Sequence, residues 1–126
     1  MGVSAAVLER VRDPKFEGWL PRDAPDVGTG QAGDVQRGPT VRIQLRVDRS
    51  TRRIDEAVFK AIGGSEAIAS ASLLAERLRG ATVEDARDAS SLAIVAELSL
   101  PLESAGVAAL AVEAARRAVD DWERKQ

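Results

Sequence analysis

Hydrophobic positions along the chain follow two periods. Over residues 41–47 (VRIQLRV), Val41, Ile43, Leu45 and Val47 alternate with Arg42, Gln44 and Arg46. A period of two predicts a strand with one buried and one wet face. The run 53–62 (RIDEAVFKAI) places Ala57, Phe59 and Ala61 on one face. Asp48-Arg49-Ser50-Thr51 between the two runs is a polar turn, so the strands form an antiparallel meander. Residues 27–36 (VGTGQAGDVQ) are glycine-rich and read as an edge strand or a loop. Glycine inside a strand marks a bulge or a close backbone approach.

The helical period frames this sheet. Residues 3–12 predict a short amphipathic helix with Val7, Leu8 and Val11 on one face. Asp13-Pro14 ends it, because the residue before proline avoids the helical region. Pro14, Gly18, Pro21 and Pro25 make 14–26 an irregular crossing segment, which Phe16 and Trp19 are expected to pin to the body. After Gly63-Gly64, Ser65 is the expected N-cap of a helix reaching about Arg79. Its buried stripe is Ala67, Ile68, Ala71, Leu74 and Leu78, and Gly80 stops it. Thr82 caps a short helix over 83–88, and Ser90 or Ser91 another over 91–98. Pro101 marks the next boundary. The last helix, about 103–124, carries Val107, Leu110, Ala111, Ala114, Ala118, Val119 and Trp122. A small sheet followed by helices is an α+β layout, and 126 residues suggest one domain, 1–126.

Composition then narrows the chemistry. Aromatics make up 3% of the chain, so the core is built from Ala, Val, Leu and Ile. Net charge is −2 with both signs interspersed, which gives no footprint for nucleic acid. No apolar run is long enough for a membrane span, and the first residues lack a signal-peptide layout, so the expected location is the cytoplasm. Only Lys15, Lys60 and Lys125 are lysines; the remaining basic residues are arginine, a usage typical of a GC-rich bacterial genome.

The chain has no cysteine and no histidine. Disulfides, thiolate nucleophiles and the usual neutral-pH base are excluded together. Ser70 and Ser72 then lack a base, and Asp34, Asp55, Glu56 and Glu66 have no coordinating spacing. Lys60 lies on the polar face of its strand, and the Arg42, Gln44 and Arg46 row reads as an ordinary wet face. Gly28-Thr29-Gly30 lacks the further glycine of a nucleotide loop. Enzymatic activity is not expected.

Several segments resemble one family. Val7-Leu8-Glu9 through Asp13-Pro14-Lys15 to Gly18 is similar to the N-terminal helix and turn of the IscU and NifU N-terminal-domain iron–sulfur cluster assembly scaffolds. Val27-Gly28-Thr29-Gly30, the strands 42–47 and 54–60, the helix stretch 66–72, Ala93 to Leu98 and Leu100-Pro101 resemble successive signatures of that family. The resemblance implies an α+β fold of the IscU/SufE-like type, with a small antiparallel three-stranded sheet packed against helices. It also implies that the positions holding a cluster or zinc are here Arg37, Pro39, Gly64, Gly106 and Val107. An alternative alignment puts Ala32-Gly33-Asp34 on the first ligand loop and still supplies no cysteine.

Thiolates, or thiolates with imidazoles, hold a [2Fe–2S] cluster. A chain without either is expected to bind no metal and no cofactor in the family's manner. The expected role is a non-catalytic, cluster-free pseudo-scaffold that binds a protein, such as a cysteine desulfurase-like or other assembly partner. The resemblance places the partner surface at Val7, Val11, Phe16 and Trp19 together with the loops at 37–39 and 63–65. A second expectation is an anion or small-ligand corner at Arg37, Gly63, Gly64, Ser65 and Gly106, where free helix amides meet a guanidinium. Its simpler counterpart is a tight strand-to-helix turn beside a solvated arginine. A third is a scaffold that completes a cluster with thiolates from its partner.

Overall fold

The computed structural model describes residues 4–126; Val3, the first residue of the expected N-terminal helix, lies outside them. Helix α1 (Ala5–Arg12) begins where the Ser4 hydroxyl accepts from the Val7 amide, and it ends at Asp13. Three strands follow: β1 (Val27–Gly33), β2 (Thr40–Val47) and β3 (Ile54–Ile62). They form an antiparallel sheet in the order β1-β2-β3. Then come α2 (Ser65–Leu78), α3 (Val83–Arg87), α4 (Ser91–Leu98), a 3-10 turn (Leu102–Ser104) and α5 (Ala105–Arg124).

Local chemistry explains the boundaries. Gly80, at φ +83°, closes α2 in the left-handed region that suits a residue without Cβ. Thr82 and Asp85 cap α3 reciprocally, each side chain accepting the other's backbone N–H. The Ser90 hydroxyl caps α4. Ser65 does not cap α2, contrary to the expectation from sequence. It is the first helical residue, and Gly64 stands at the cap with no side chain to offer.

One face of the sheet packs on α2 and α5. Val41, Ile43, Leu45, Ala57 and Phe59 are buried there with Leu74, Ala111, Val112, Ala115 and Val119. The burial of α2 is wider than its expected stripe. Ala69, Ser70, Ser72, Leu73 and Ala75 are also buried, while Ile68 is only partly so. The cause is that α1, α4 and α5 all meet α2 in addition to β3.

The opposite face is not the wet surface that alternation predicts. The segment after α1 crosses it, and Gln44 is buried. The Gln44 side chain accepts from the Leu20 amide at 2.8 Å and donates to the Leu20 carbonyl at 2.9 Å, replacing a strand's two ladder bonds. Arg46 pairs with Asp26 at 2.8 Å and Glu56 at 3.0 Å. The residue that anchors the crossing is therefore Leu20, together with half-buried Phe16 under the Arg79 guanidinium. Trp19 is 73% exposed and pins nothing.

The closest contact in the fold is between β1 and α5. A Cβ on Gly28 would lie 2.0 Å from the Ala118 carbonyl oxygen, and one on Gly30 would lie 2.0 Å from that of Ala114. Strand backbone therefore rests directly on helix backbone, with the Trp122 Cβ also 2.8 Å from the Cβ that Gly28 lacks. The outward groups of β1 are also met by α5. Thr29 N–H donates to Asp121 Oδ2 at 2.9 Å, Arg117 donates to the Gln31 carbonyl at 2.7 Å, and Lys125 donates to that of Val27 at 2.7 Å. On the far edge, Phe59 N–H donates to the Phe16 carbonyl and Gly18 N–H to that of Phe59.

The C-terminal end of α5 is held by a charge cluster. Arg52, in the β2–β3 turn at φ +61°, pairs with Glu84 of α3 and with Glu123, and its guanidinium lies 5.4 Å from the Trp122 ring. Arg87 pairs with Asp120 and Glu123. Hydrogen bonds from Arg52 and then Arg87 hold the Glu123 carboxyl below its ordinary value.

Substitutions put this packing to the test. Gly30→Ala drives a methyl into the Ala114 carbonyl and is expected to destabilise by about 3 kcal/mol or more in urea unfolding. Gly106→Ala, on an exposed helical position with open space around it, is expected to stabilise by up to about 1 kcal/mol. The folded state binds fewer protons at Glu123 than the unfolded chain does. Its contribution is therefore complete above the ordinary carboxylate range and disappears as pH falls through the depressed value. Glu123→Gln is expected to flatten the acid limb of the thermal midpoint below about pH 5, with a loss at neutral pH of no more than about 1 kcal/mol at this half-buried, solvent-screened site.

Candidate functional site

The turn after β3 and the start of α2 meet the start of β2 at one end of the molecule. Pro39, Gly63, Gly64, Ser65, Glu66 and Val107 surround a shallow hollow of about 260 Å³ there. The register explains the meeting. Thr40 pairs with Ile62, which sets Pro39 beside Gly63. Gly63 (φ +106°) approaches so closely that a Cβ would stand 2.5 Å from the Pro39 Cα. Gly64 (φ +125°) turns the chain into α2 with open space beside it. Val107 arrives from the first turns of α5, because docking on β1 fixes where that helix starts.

Of the expected corner, Pro39, Gly63, Gly64, Ser65 and Val107 converge. Arg37 and Gly106 do not line the hollow. The 34–38 turn holds Arg37 outward. Asp34 accepts the Arg37 and Gly38 amides through its carbonyl and the Gln36 amide through its carboxylate. The Arg37 side chain is 88% exposed and lies 3.7 Å from Asp34. Gly106 sits on the exposed side of α5, where a Cβ would have no neighbour within 4 Å.

Glu66 is the lining residue that the sequence presents only as surface charge. Its place in the first turn of α2, where an acidic residue complements the helix dipole, was the available signal. Its charge opposes an anion at those amides, and no lysine or arginine lines the hollow.

A cluster or metal ion would be this corner's cargo, and the donor set does not fit one. Proline, glycine and valine side chains have no lone pair to give. Ser65 and Glu66 supply oxygen alone. Among the described residues no group of three or more carboxylates gathers at metal-binding spacing. Ser72 is structural: its hydroxyl donates to the Lys15 carbonyl at 2.9 Å and accepts from Arg10 at 3.3 Å, tying the end of α1 to α2. Lys60 lies on the exposed edge, 3.7 Å from Glu17.

The expected partner surface is only partly outward. Val7 is fully buried, and Val11 and Phe16 are half-buried. Val7 faces the core because its face of α1 lies on α2. Trp19 projects into solvent, as do Leu8, Val35, Ile62 and Leu102. Among the described residues no helix is long and apolar enough to cross a membrane.

Comparison with known proteins agrees with this architecture. The model of the NifU-like N terminal domain matches residues 3–126. The iron–sulfur cluster assembly scaffold protein IscU of Azotobacter vinelandii is 36% identical over 126 residues, covering 100% of this chain and 98% of the relative. Mitochondrial iron sulfur cluster assembly protein 1 of Kluyveromyces lactis is 35% identical over 120 residues, covering 95% and 67% of the two chains. The crystal structure of a NifU-like protein (N-terminal) from Brucella abortus superposes with a TM-score of 0.73 at 16% identity, over 97% of this chain and 94% of that one. At that identity the likeness speaks for the α+β fold alone. Family match and full-length relatives together establish that the chain belongs to the NifU-like N-terminal domain family of non-enzymatic iron–sulfur assembly scaffolds, as a member without a single cysteine or histidine.

Proposed function

We propose that this protein is a cluster-free pseudo-scaffold that acts by binding another protein of iron–sulfur assembly, with a cysteine desulfurase-like protein as the first candidate. One observation carries the reading. Pro39, Gly63, Gly64 and Val107 are brought together in one corner, and no side chain lining it can grip iron through sulfur or nitrogen. A fold retained without its cargo chemistry is useful for its surface.

The surface chemistry supports a protein partner. Trp19, Val35, Ile62 and Leu102 are large apolar residues left in water. Trp19 is the aromatic among them, the type of side chain that dominates binding energy once a partner desolvates it. The absence of a cation from the hollow, and the presence of Glu66, take support away from an anion-binding role. The cellular setting in this reading is the cytoplasm of a bacterium, and no nucleic acid takes part.

The test is direct. Purified protein incubated with ferrous iron and sulfide is expected to stay colourless. Mixed with the cysteine desulfurase of its own organism, it is expected to co-elute in size-exclusion chromatography, and Trp19→Ala is expected to weaken that complex by about tenfold or more. Failure to co-elute removes the partner. Visible absorbance from the isolated chain overturns the cluster-free reading, and absorbance only with the desulfurase present replaces it with a scaffold completed by the partner's thiolates.

A further inference from the structure

A cleft of about 410 Å³ opens between α2, α3 and α4. Leu73, Leu74, Leu78 and Ile94 form its walls, and the small side chains of Ala89 and Ala93 leave it open. It is a surface depression with an apolar base, and those four aliphatic side chains are themselves only 2–5% exposed.

A second cleft, of about 360 Å³, lies between α1, α2 and α4 and is charged, with Glu9, Arg10, Asp13, Lys15 and Glu76 among its lining. Arg77 of α2 and Glu97 of α4 line both clefts, and their ion pair spans the divide. The two clefts lie side by side across this ion pair, a trough interrupted by it, apolar at the α3 end and charged at the α1 end.

The free charge of the trough is acidic. Arg10 is taken by Glu76 at 3.2 Å, and Arg77 is taken by Glu97. Asp85 is engaged in the α3 capping box, and among the described residues Glu9 and Asp13 form no ion pair, beside one unpaired ammonium, Lys15. Helices and the loops that join them border the trough, so it offers no strand edge to an extended peptide. Recognition there runs through side chains, as when an amphipathic helix lays its apolar anchors in a groove.

We propose that this trough receives a basic amphipathic helix of a partner protein, its aliphatic side chains entering the cleft between α2 and α4 and its Lys or Arg side chains meeting Glu9 and Asp13. The site goes beyond the function proposed above, since none of Pro39, Gly63, Gly64, Ser65 or Val107 lines either cleft. It needs no desulfurase, so each reading stands or falls separately.

Two synthetic helical peptides test it against the full-length ¹⁵N-labelled protein. Both carry leucines at i, i+3 or i+4, and i+7; one has lysines on the remaining face and the other glutamates. The lysine peptide is expected to shift amides within 73–78 and 89–97, to bind about tenfold or more tightly than the glutamate peptide, and to weaken as salt is added. Ala93→Leu plugs the cleft from an exposed position and is expected to cut affinity by about tenfold. Glu9→Lys with Asp13→Lys, both exposed, is expected to cut it similarly and to remove the salt dependence. Equal binding of the two peptides overturns the proposal, as does an absence of saturable binding. Shifts confined to 35–39 and 62–67 overturn it too, and so does unchanged affinity in a folded Ala93→Leu. Displacement of the lysine peptide by decanoate at lower concentration overturns it in favour of a small apolar ligand.

Discussion

The corner formed by Pro39, Gly63, Gly64 and Val107 depends on how closely α5 lies on β1. Gly28 and Gly30 on the strand, and Ala114 and Ala118 on the helix, bring two backbones to van der Waals contact. Closeness of this kind fixes a helix along its axis as well as in depth, because carbonyls of one element sit against specific residues of the other. The start of α5 is thereby set, and with it the position of Val107 beside Pro39 and Gly64. The Arg52, Arg87 and Glu123 cluster secures the opposite end. A helix clamped at its far end and seated on glycines has little freedom to slide, so the corner inherits rigidity from contacts far away from it.

That rigidity makes the chemical loss informative. The corner is not a ruined loop: Gly63 and Gly64 keep positive φ values, and Gly63 is pressed against Pro39. Backbone shape and donor chemistry are separable properties. The first is set by register and glycine, the second by which atom ends each side chain. Here register and glycine shape the corner, and none of its side chains offers sulfur or nitrogen.

Much of the fold was legible because its signals were local. Alternation gave β2, glycine and proline gave the punctuation, and Thr82, Ser90 and Gly80 marked helix ends. What stayed hidden was tertiary. Gln44 looked like a solvent-facing residue because its polarity fitted the alternation, and only the crossing segment makes it a buried substitute for a strand. Trp19 looked like an anchor because tryptophan usually is one, yet Leu20 takes that place. Glycine in β1 did announce a close approach, but not which helix makes it. Within the corner, the meeting of residues 39, 63–65 and 107 was readable from the resemblance. The outward set of Arg37 was not, because Asp34 decides it three residues earlier. The trough along α2 had no sequence signature at all, since small and aliphatic residues at helical spacing look the same whether or not another element covers them.

The sealing of β1 by Asp121, Arg117 and Lys125 reaches beyond the monomer. A bare ribbon edge invites any passing chain to zip onto it, because main-chain groups are the same in every protein. Here the helix that holds the sheet also occupies three of those sticky groups, so generic zipping is discouraged at the flank least guarded by its own sequence. Whatever meets this molecule must know it by the shape and charge of its side groups, a stricter password than an open backbone would ask for.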